Sequence, residues 1–282
     1  MNYRNAECLR LLLLVIQCYT HFIMILRRLG SKQAIAQDIE KYFPYHRLYI
    51  EPFFGAGGMF FNKRKSKYNM LNDLDSDVFN LFQIVSTKKT ELETEFNYMP
   101  IHSDLLDYWK KEKESEPIRK ALRFLFLSNF TTPGIGDLRR NGFSKDKKIL
   151  NDNIKKTFDF INETNARFWN EDFRVFISRV MLRGDERPLQ DLDTFFYCDP
   201  PYLGTNDNYS NSFTEQDSID LFNSLQETGC KFAMSEFNHP FILQQAKERN
   251  LNVHIIGERK NLKNRRTEIL ITNYQKERTL FD

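Results

Sequence analysis

The apolar positions of this chain change period repeatedly, and the changes mark its elements. Ala34, Ile35, Ile39 and Phe43 fall near one helical face, and Pro44 closes that segment. His46–Glu51 reads as a strand running into Pro52-Phe53-Phe54-Gly55-Ala56-Gly57-Gly58, and residues 59–65 are expected to form the helix after it. Tyr68–Leu71 is a second apolar strand, ending at Asn72-Asp73; Val78, Leu81, Phe82 and Val85 then restore a helical period, with Asp77 as its candidate cap. Further along, Phe173–Leu182 is helical, and Thr194–Cys198 is the nearly unbroken apolar run of a central parallel strand. A polar loop covers 203–213. Thr214 and Asp217 resemble a capping pair before a helix carrying Ile219, Leu221, Phe222 and Leu225, with Gly229 as terminator. Cys230–Met234, Val253–Ile256 and Glu268–Thr272 are the remaining strand candidates. Strands alternating with helices predict a layered α/β sheet.

Two stretches break this rhythm. Residues 87–170 hold the charged run 110–116, an apolar helix candidate at 118–130, a glycine-, proline- and lysine-rich loop candidate at 131–148 and a helix candidate at 150–168. They read as an insertion or second lobe. Residues 11–26 (LLLLVIQCYTHFIMIL) carry no formal charge but fall short of the ~20 residues of a membrane span. A buried or loosely attached helix is expected there, in an N-terminal extension of residues 1–25; a natural start near Met24 is the alternative.

Composition narrows the field without naming a function. A chain of 282 residues with 41% hydrophobic residues and 26 phenylalanines builds one large aromatic core, not a disordered tail or a disulfide miniprotein. The net charge of +3 means that any nucleic-acid surface must be a local patch. Four cysteines without CxxC spacing fit a reduced compartment, and the cytoplasm is the expected location. No metal role is expected of His102, His239 or His254.

Two turns carry chemistry. The glycines after the first strand let the backbone turn tightly and approach a ligand, as at a nucleotide-type site on the carboxyl ends of a sheet. No GKS or GKT follows, which argues against an ATP-hydrolysing phosphate loop. Asp73, 18 residues after Gly55, suits a grip on ribose hydroxyls, with Asp75 and Asp77 as rivals. Asp199-Pro200-Pro201-Tyr202 is the sharper signal. Two prolines stop a buried strand, the Pro200 carbonyl and the Asp199 carboxylate are acceptors for an exocyclic amine, and Tyr202 adds an aromatic face. A flat, amino-bearing ring is the expected guest.

With these turns in their order, RRLGSKQAIAQDIEKYFP, IEPFFGAGGMFFN, LNDLDSD, EDFRVFI, FFYCDPPY, NSFTEQD and RRTEILITNY make the chain resemble, over roughly 26–275, the Dam-like (D12 class) DNA adenine N6-methyltransferases. The resemblance implies a Rossmann-like methyltransferase sheet with a mainly helical target-recognition insertion. The catalytic domain would occupy 26–86 and 171–282, and the insertion 87–170. It implies S-adenosylmethionine as cofactor and a flipped adenine in double-stranded DNA as substrate. Asp199, Pro200, Pro201 and Tyr202 are its catalytic turn. Arg28, Gly30, Ser31, Lys32, Glu51, Pro52, Phe53, Phe54, Gly55, Ala56, Gly57, Asp73, Asp172, Phe173 and Asp199 border the cofactor, Asp172 accepting from its adenine amine. Arg28 departs from the aromatic residue usual at its position, and the loop at 131–148 departs from relatives that read GATC. Arg139, Arg140, Lys145, Lys147 and Lys148 are the DNA-binding candidates. A monomer without membrane contact is expected; a cognate restriction endonuclease without stable association is the further partner. Cytosine N4, RNA adenine and a catalytically inactive binding protein are the alternatives.

Overall fold

Thr194–Cys198 is buried at every position and forms the middle of a seven-stranded sheet. The computed structural model describes residues 24–28, 30–132, 136–139, 143–182, 193–204, 213–260 and 265–276. In chain order, a 3-10 turn at Lys32–Ile35 runs into α1 (Ala36–Glu40), followed by β1 (Leu48–Glu51), β2 (Tyr68–Asn72) and α2 (Ser76–Thr87). Four helices come next: α3 (Lys89–Tyr98), α4 (Ser103–Lys111), α5 (Pro117–Phe130) and α6 (Phe143–Glu163). The chain then returns through β3 (Ala166–Trp169), α7 (Phe173–Met181), β4 (Thr194–Cys198), α8 (Glu215–Glu227), β5 (Lys231–Phe237), α9 (Pro240–Glu248), β6 (Asn252–Lys260) and β7 (Arg265–Thr272).

The sheet order is β3-β2-β1-β4-β5-β7-β6; the first five strands run parallel, and β7 is antiparallel to both neighbours. This is the Rossmann-like α/β sheet expected. Period-two alternation divides the core between its faces. Tyr49, Phe195 and Tyr197 face one apolar cluster, built with α2 to α6; Leu48, Ile50, Phe196 and Cys198 face the other, built with α7, α8 and α9. After β1 the chain winds one way to β2 and β3, and β4 then lies on the other side of β1. The carboxyl ends of β1 and β4 therefore flank a topological switch point, where such sheets open a crevice.

Several expectations need correction. Residues 59–65 are not an α-helix: the chain makes tight turns there, with Phe61 N bonded to Gly57 O and Lys63 N to Met59 O (both 3.0 Å). Met59, Phe60 and Phe61 are all buried, so this segment has no solvent face to pair with an apolar one. The loop expected over 131–148 ends earlier, because α6 begins at Phe143. The helix expected to reach 168 stops at Glu163, and β3 follows as an edge of the sheet. The cap of α2 is Asp75, whose side chain accepts from Asp77 N (2.9 Å), not Asp77. Helix α9 had no counterpart in the pattern. Helices α3 to α6 share one continuous core with α2 and the sheet. Residues 11–23 lie outside the described part; Met24, Ile25 and Leu26 are buried but not helical. Among the described residues no helix is long and apolar enough to cross a membrane.

Candidate active site

The glycine turn follows β1 directly. Phe54 N donates to Asn72 O (2.8 Å) at the end of β2, and Gly55 N donates to Asp73 Oδ2 (2.6 Å). Asp73 Oδ1 accepts from Asp75 N (2.8 Å), so one carboxylate fixes two backbones and still has lone pairs for a ligand hydroxyl. Desolvation pushes the Asp73 carboxyl up, opposed by the Asp75 N–H. The glycines divide the work. Gly55 has φ +55° and open space where a Cβ would stand. A Cβ on Gly58 would meet Ser31 Oγ at 2.7 Å and Lys32 N at 2.8 Å, because the segment before α1 lies directly on the turn.

The DPPY turn follows β4 beside it. Lys32, only 3% exposed, reaches under this turn to Asp199 Oδ1 (2.6 Å) and to Glu268 Oε1 on β7 (3.2 Å). Desolvation pushes the Asp199 carboxyl up, and the Lys32 ammonium holds it down. Burial pushes Glu51, which accepts from Tyr49 OH (2.9 Å), well up.

Both turns open into one cavity of about 960 Å3, at the upper end of the ~300–1,000 Å3 usual for ligand sites. Its lining includes Arg28, Gly30, Ser31, Lys32, every residue from Glu51 to Ala56, Asp73, Asp172, Phe173, Asp199 and Pro201. Gly57, Pro200 and Tyr202 are not among the lining residues. Tyr202 is buried behind the turn: Lys32 Nζ stands 4.6 Å over its ring, Phe237 packs edge-on at 4.6 Å, and its hydroxyl donates to Glu268 Oε1 (2.8 Å). Arg28 pairs with Asp75 (3.0 Å) at the mouth. Asp172 caps α7 and pairs with Arg174 (3.3 Å), which also binds Asp217 and Asp220 of α8.

Of the cationic candidates, Arg139 pairs with Asp146 (2.7 Å) and donates to Asn129 O, while Lys147 donates to Asn97 O (2.9 Å) and Met99 O (2.6 Å) at the end of α3. Lys145 and Lys148 are exposed on α6, and Arg140 lies outside the described residues.

The sequence reading missed four contributors. Asn72 bonds Pro52 O (3.0 Å) and both backbone groups of Glu171, joining the glycine turn to the segment that carries Asp172. Phe213 packs against Phe53 and Phe173, forming an aromatic wall of the cavity. Glu236 and Glu268 are single acids within apolar strands; that anomaly was a visible signal.

The lining fits a cationic, nucleoside-bearing cofactor. Nine carboxylates face six cations around the cavity, the Phe53–Phe173–Phe213 wall offers a flat apolar surface, and Gly55 leaves room for close approach. Residues 29–272 match the profile of the D12 class N6 adenine-specific DNA methyltransferase family. The chain is 26% identical over 255 residues to a DNA adenine methylase of Escherichia coli, covering 83% of this chain and 86% of that protein. It is 28% identical over 207 residues to one of Serratia marcescens, covering 67% and 71%. Among solved structures, an rRNA methylase from Streptococcus thermophilus aligns with a TM-score of 0.38 and 6% identity, covering 87% of this chain and 97% of that one.

Proposed function

Because the chain belongs to the D12 class N6 adenine-specific DNA methyltransferase family, we propose that its cavity holds the cofactor at the glycine turn and receives a flipped adenine at the DPPY turn. The protein is an S-adenosylmethionine-dependent DNA adenine N6-methyltransferase. When bound, S-adenosylmethionine supplies an activated methyl group on a positively charged sulfur. Glu51 and Asp73 would hold its polar groups, and the Phe53–Phe173–Phe213 wall would take its base. Asp172 is already engaged by Arg174, so that ion pair orients the carboxylate on which the base amine depends.

At the second turn the chain supplies position and charge. Adenine N6 is a poor nucleophile because its lone pair is delocalised into the ring. Asp199, which lines the cavity, accepts from the amine, helps turn the lone pair out of the ring and stabilises the positive charge that develops on nitrogen. Lys32 occupies one Asp199 oxygen and leaves the carboxylate lone pairs for the amine. No proton need leave before attack; the product amine releases one afterwards.

One observation carries this reading: the two turns, at the ends of adjacent strands β1 and β4, line the same cavity. Asp199→Ala is expected to fold, to bind DNA and to lose methyl transfer to an adenine-containing duplex by at least about 100-fold, the scale of removing one partner of developing charge. A folded Asp199→Ala enzyme that methylates at the parent rate overturns the assignment. Equilibrium titration with S-adenosylmethionine checks the cofactor half separately.

A further inference from the structure

Glu268 is 1% exposed, in the middle of an apolar strand, paired in register with Phe237 of β5. Burying a carboxylate costs several kcal/mol unless its charge and hydrogen bonds are answered. Its Oε1 meets two partners, the Lys32 ammonium at 3.2 Å and the Tyr202 hydroxyl at 2.8 Å. Each of these in turn touches the catalytic turn: Lys32 holds Asp199 Oδ1 at 2.6 Å, and Tyr202 is part of the turn and lies beneath the same ammonium. Glu268 itself is not among the residues lining the cavity. Its contacts with the catalytic turn run through these two side chains, and its charge also acts on Asp199 across space.

We infer that Glu268 is a positioning residue for methyl transfer, fixing Lys32 and Tyr202 beneath the DPPY turn so that Asp199 is presented to the cavity in one orientation. This rests on the role given to Asp199 above. Lys32 bridges two carboxylates, which fixes its long side chain more tightly than a single partner would. The Tyr202 hydroxyl, tied to the same oxygen, keeps its ring against Phe237 and closes the floor under Asp199. The charged and titratable groups facing Asp199 are Lys32 before α1, Glu268 on β7, Tyr202 in the turn, Glu236 on β5, Glu51 on β1 and Tyr197 on β4. The Glu268 charge repels the Asp199 anion, so neutralising it leaves Asp199 more acidic.

The test uses the full-length enzyme, saturating S-adenosylmethionine and an adenine-containing duplex under single-turnover conditions. Glu268→Ala is expected to slow transfer on the order of 100-fold, the scale of a displacement of about 1 Å at a reacting group. Glu268→Gln, which keeps an acceptor for Tyr202 and Lys32, is expected to recover part of that loss. Its acidic limb should lie at lower pH than the parent's, a displacement that lost packing does not produce. A folded Glu268→Ala at the parent rate overturns the inference, as does a Glu268→Gln profile whose acidic limb coincides with the parent's. If Glu268→Ala does not fold, the Glu268→Gln profile decides. Asp199→Ala runs alongside: its full activity would sink the catalytic assignment itself, whereas its inactivity beside parent-like Glu268 variants would sink only the role of Glu268.

Discussion

At the scale of the residue, the two acids inside apolar strands do different work. Glu236 on β5 is 1% exposed and accepts from Leu203 N (3.0 Å) and Phe237 N (2.7 Å), which ties the chain after the DPPY turn to the sheet. Burial nevertheless pushes its carboxyl from the ordinary 4.5 up to about 8, with the two N–H groups opposing. Between those values the folded protein holds a proton that the unfolded chain has released. Stability from this group is therefore fully present below the unfolded value and falls as pH rises toward about 8, by at most about 1.4 kcal/mol per pH unit. His46, held down to about 4 by burial, has the opposite slope, but only below its unfolded value of 6.5. Lys63, held down to about 7 by burial, opposes the decline above that pH. The informative comparison is thus between variants. From pH 6.5 to 8, Glu236→Gln should show a less negative, or more positive, change in urea midpoint than the parent; parallel changes would mean that Glu236 does not carry the proton. Neither acid was singled out from the sequence, although each interrupts an apolar run. Lys32 and Asp199 are 167 residues apart, and no local rule joins them.

At the scale of the element, the parts legible in the sequence were those governed by local chemistry. The capping box of Thr214 and Asp217 forms as expected, with Asp217 N donating to Thr214 Oγ1 (3.1 Å) and Thr214 N to Asp217 Oδ2 (2.8 Å). The strands before both functional turns also fall where their apolar runs placed them. The failures occurred where tertiary packing overrode period. Met59–Phe61 looked like the start of a helix, yet all three are buried, and Phe60 and Phe61 pack against Phe54, Phe82 and Phe160. Ala166–Trp169 is too short and too mixed in polarity to announce a strand; its pairing with β2 makes it one. Glycine usage belongs to this scale as well. Gly58→Ala drives a methyl group into the backbone at Lys32 and Gln33, and something must shift. It is expected to cost about 1–3 kcal/mol of stability, typical of overpacking, and to weaken S-adenosylmethionine binding. Gly55→Ala meets no atom within 4 Å and carries only the strain of φ +55°, about 1–2 kcal/mol. Urea midpoints and cofactor titrations of the two variants check the pair. A smaller midpoint loss and unchanged cofactor affinity for Gly58→Ala would refute the close-contact argument.

At the scale of the whole molecule, the net charge of +3 concealed a division of labour among the cations. In the sequence Arg139, Arg140, Lys145, Lys147 and Lys148 are equal candidates for DNA or for a solvated face, because composition does not tell a solvated lysine from one spent inside the fold. Their places at and before the start of α6 separate them. Arg139 and Lys147 are consumed internally, by Asp146 and by the last carbonyls of α3, and burial lowers the pKa of Lys147. Lys145 and Lys148 remain exposed. Helices α3 to α6 share the core of the sheet, so cations on α6 keep a fixed relation to the cavity at the two turns. Phosphate contacts on such a frame act through counterion release, each changing the logarithmic salt slope by about 0.9. Replacing Lys145 and Lys148 together by Ala should therefore weaken duplex binding and make the slope shallower by about 1–2, with the urea midpoint unchanged. Lys147→Ala should lower that midpoint, because two α3 carbonyls lose their donor, and should leave the salt slope alone. Fluorescence anisotropy across a salt series, with urea melts of the same preparations, separates the two roles. A slope lost in Lys147→Ala and kept in the double variant would reverse the assignment and place the phosphate contact on the side of α6 that the structure turns toward α3.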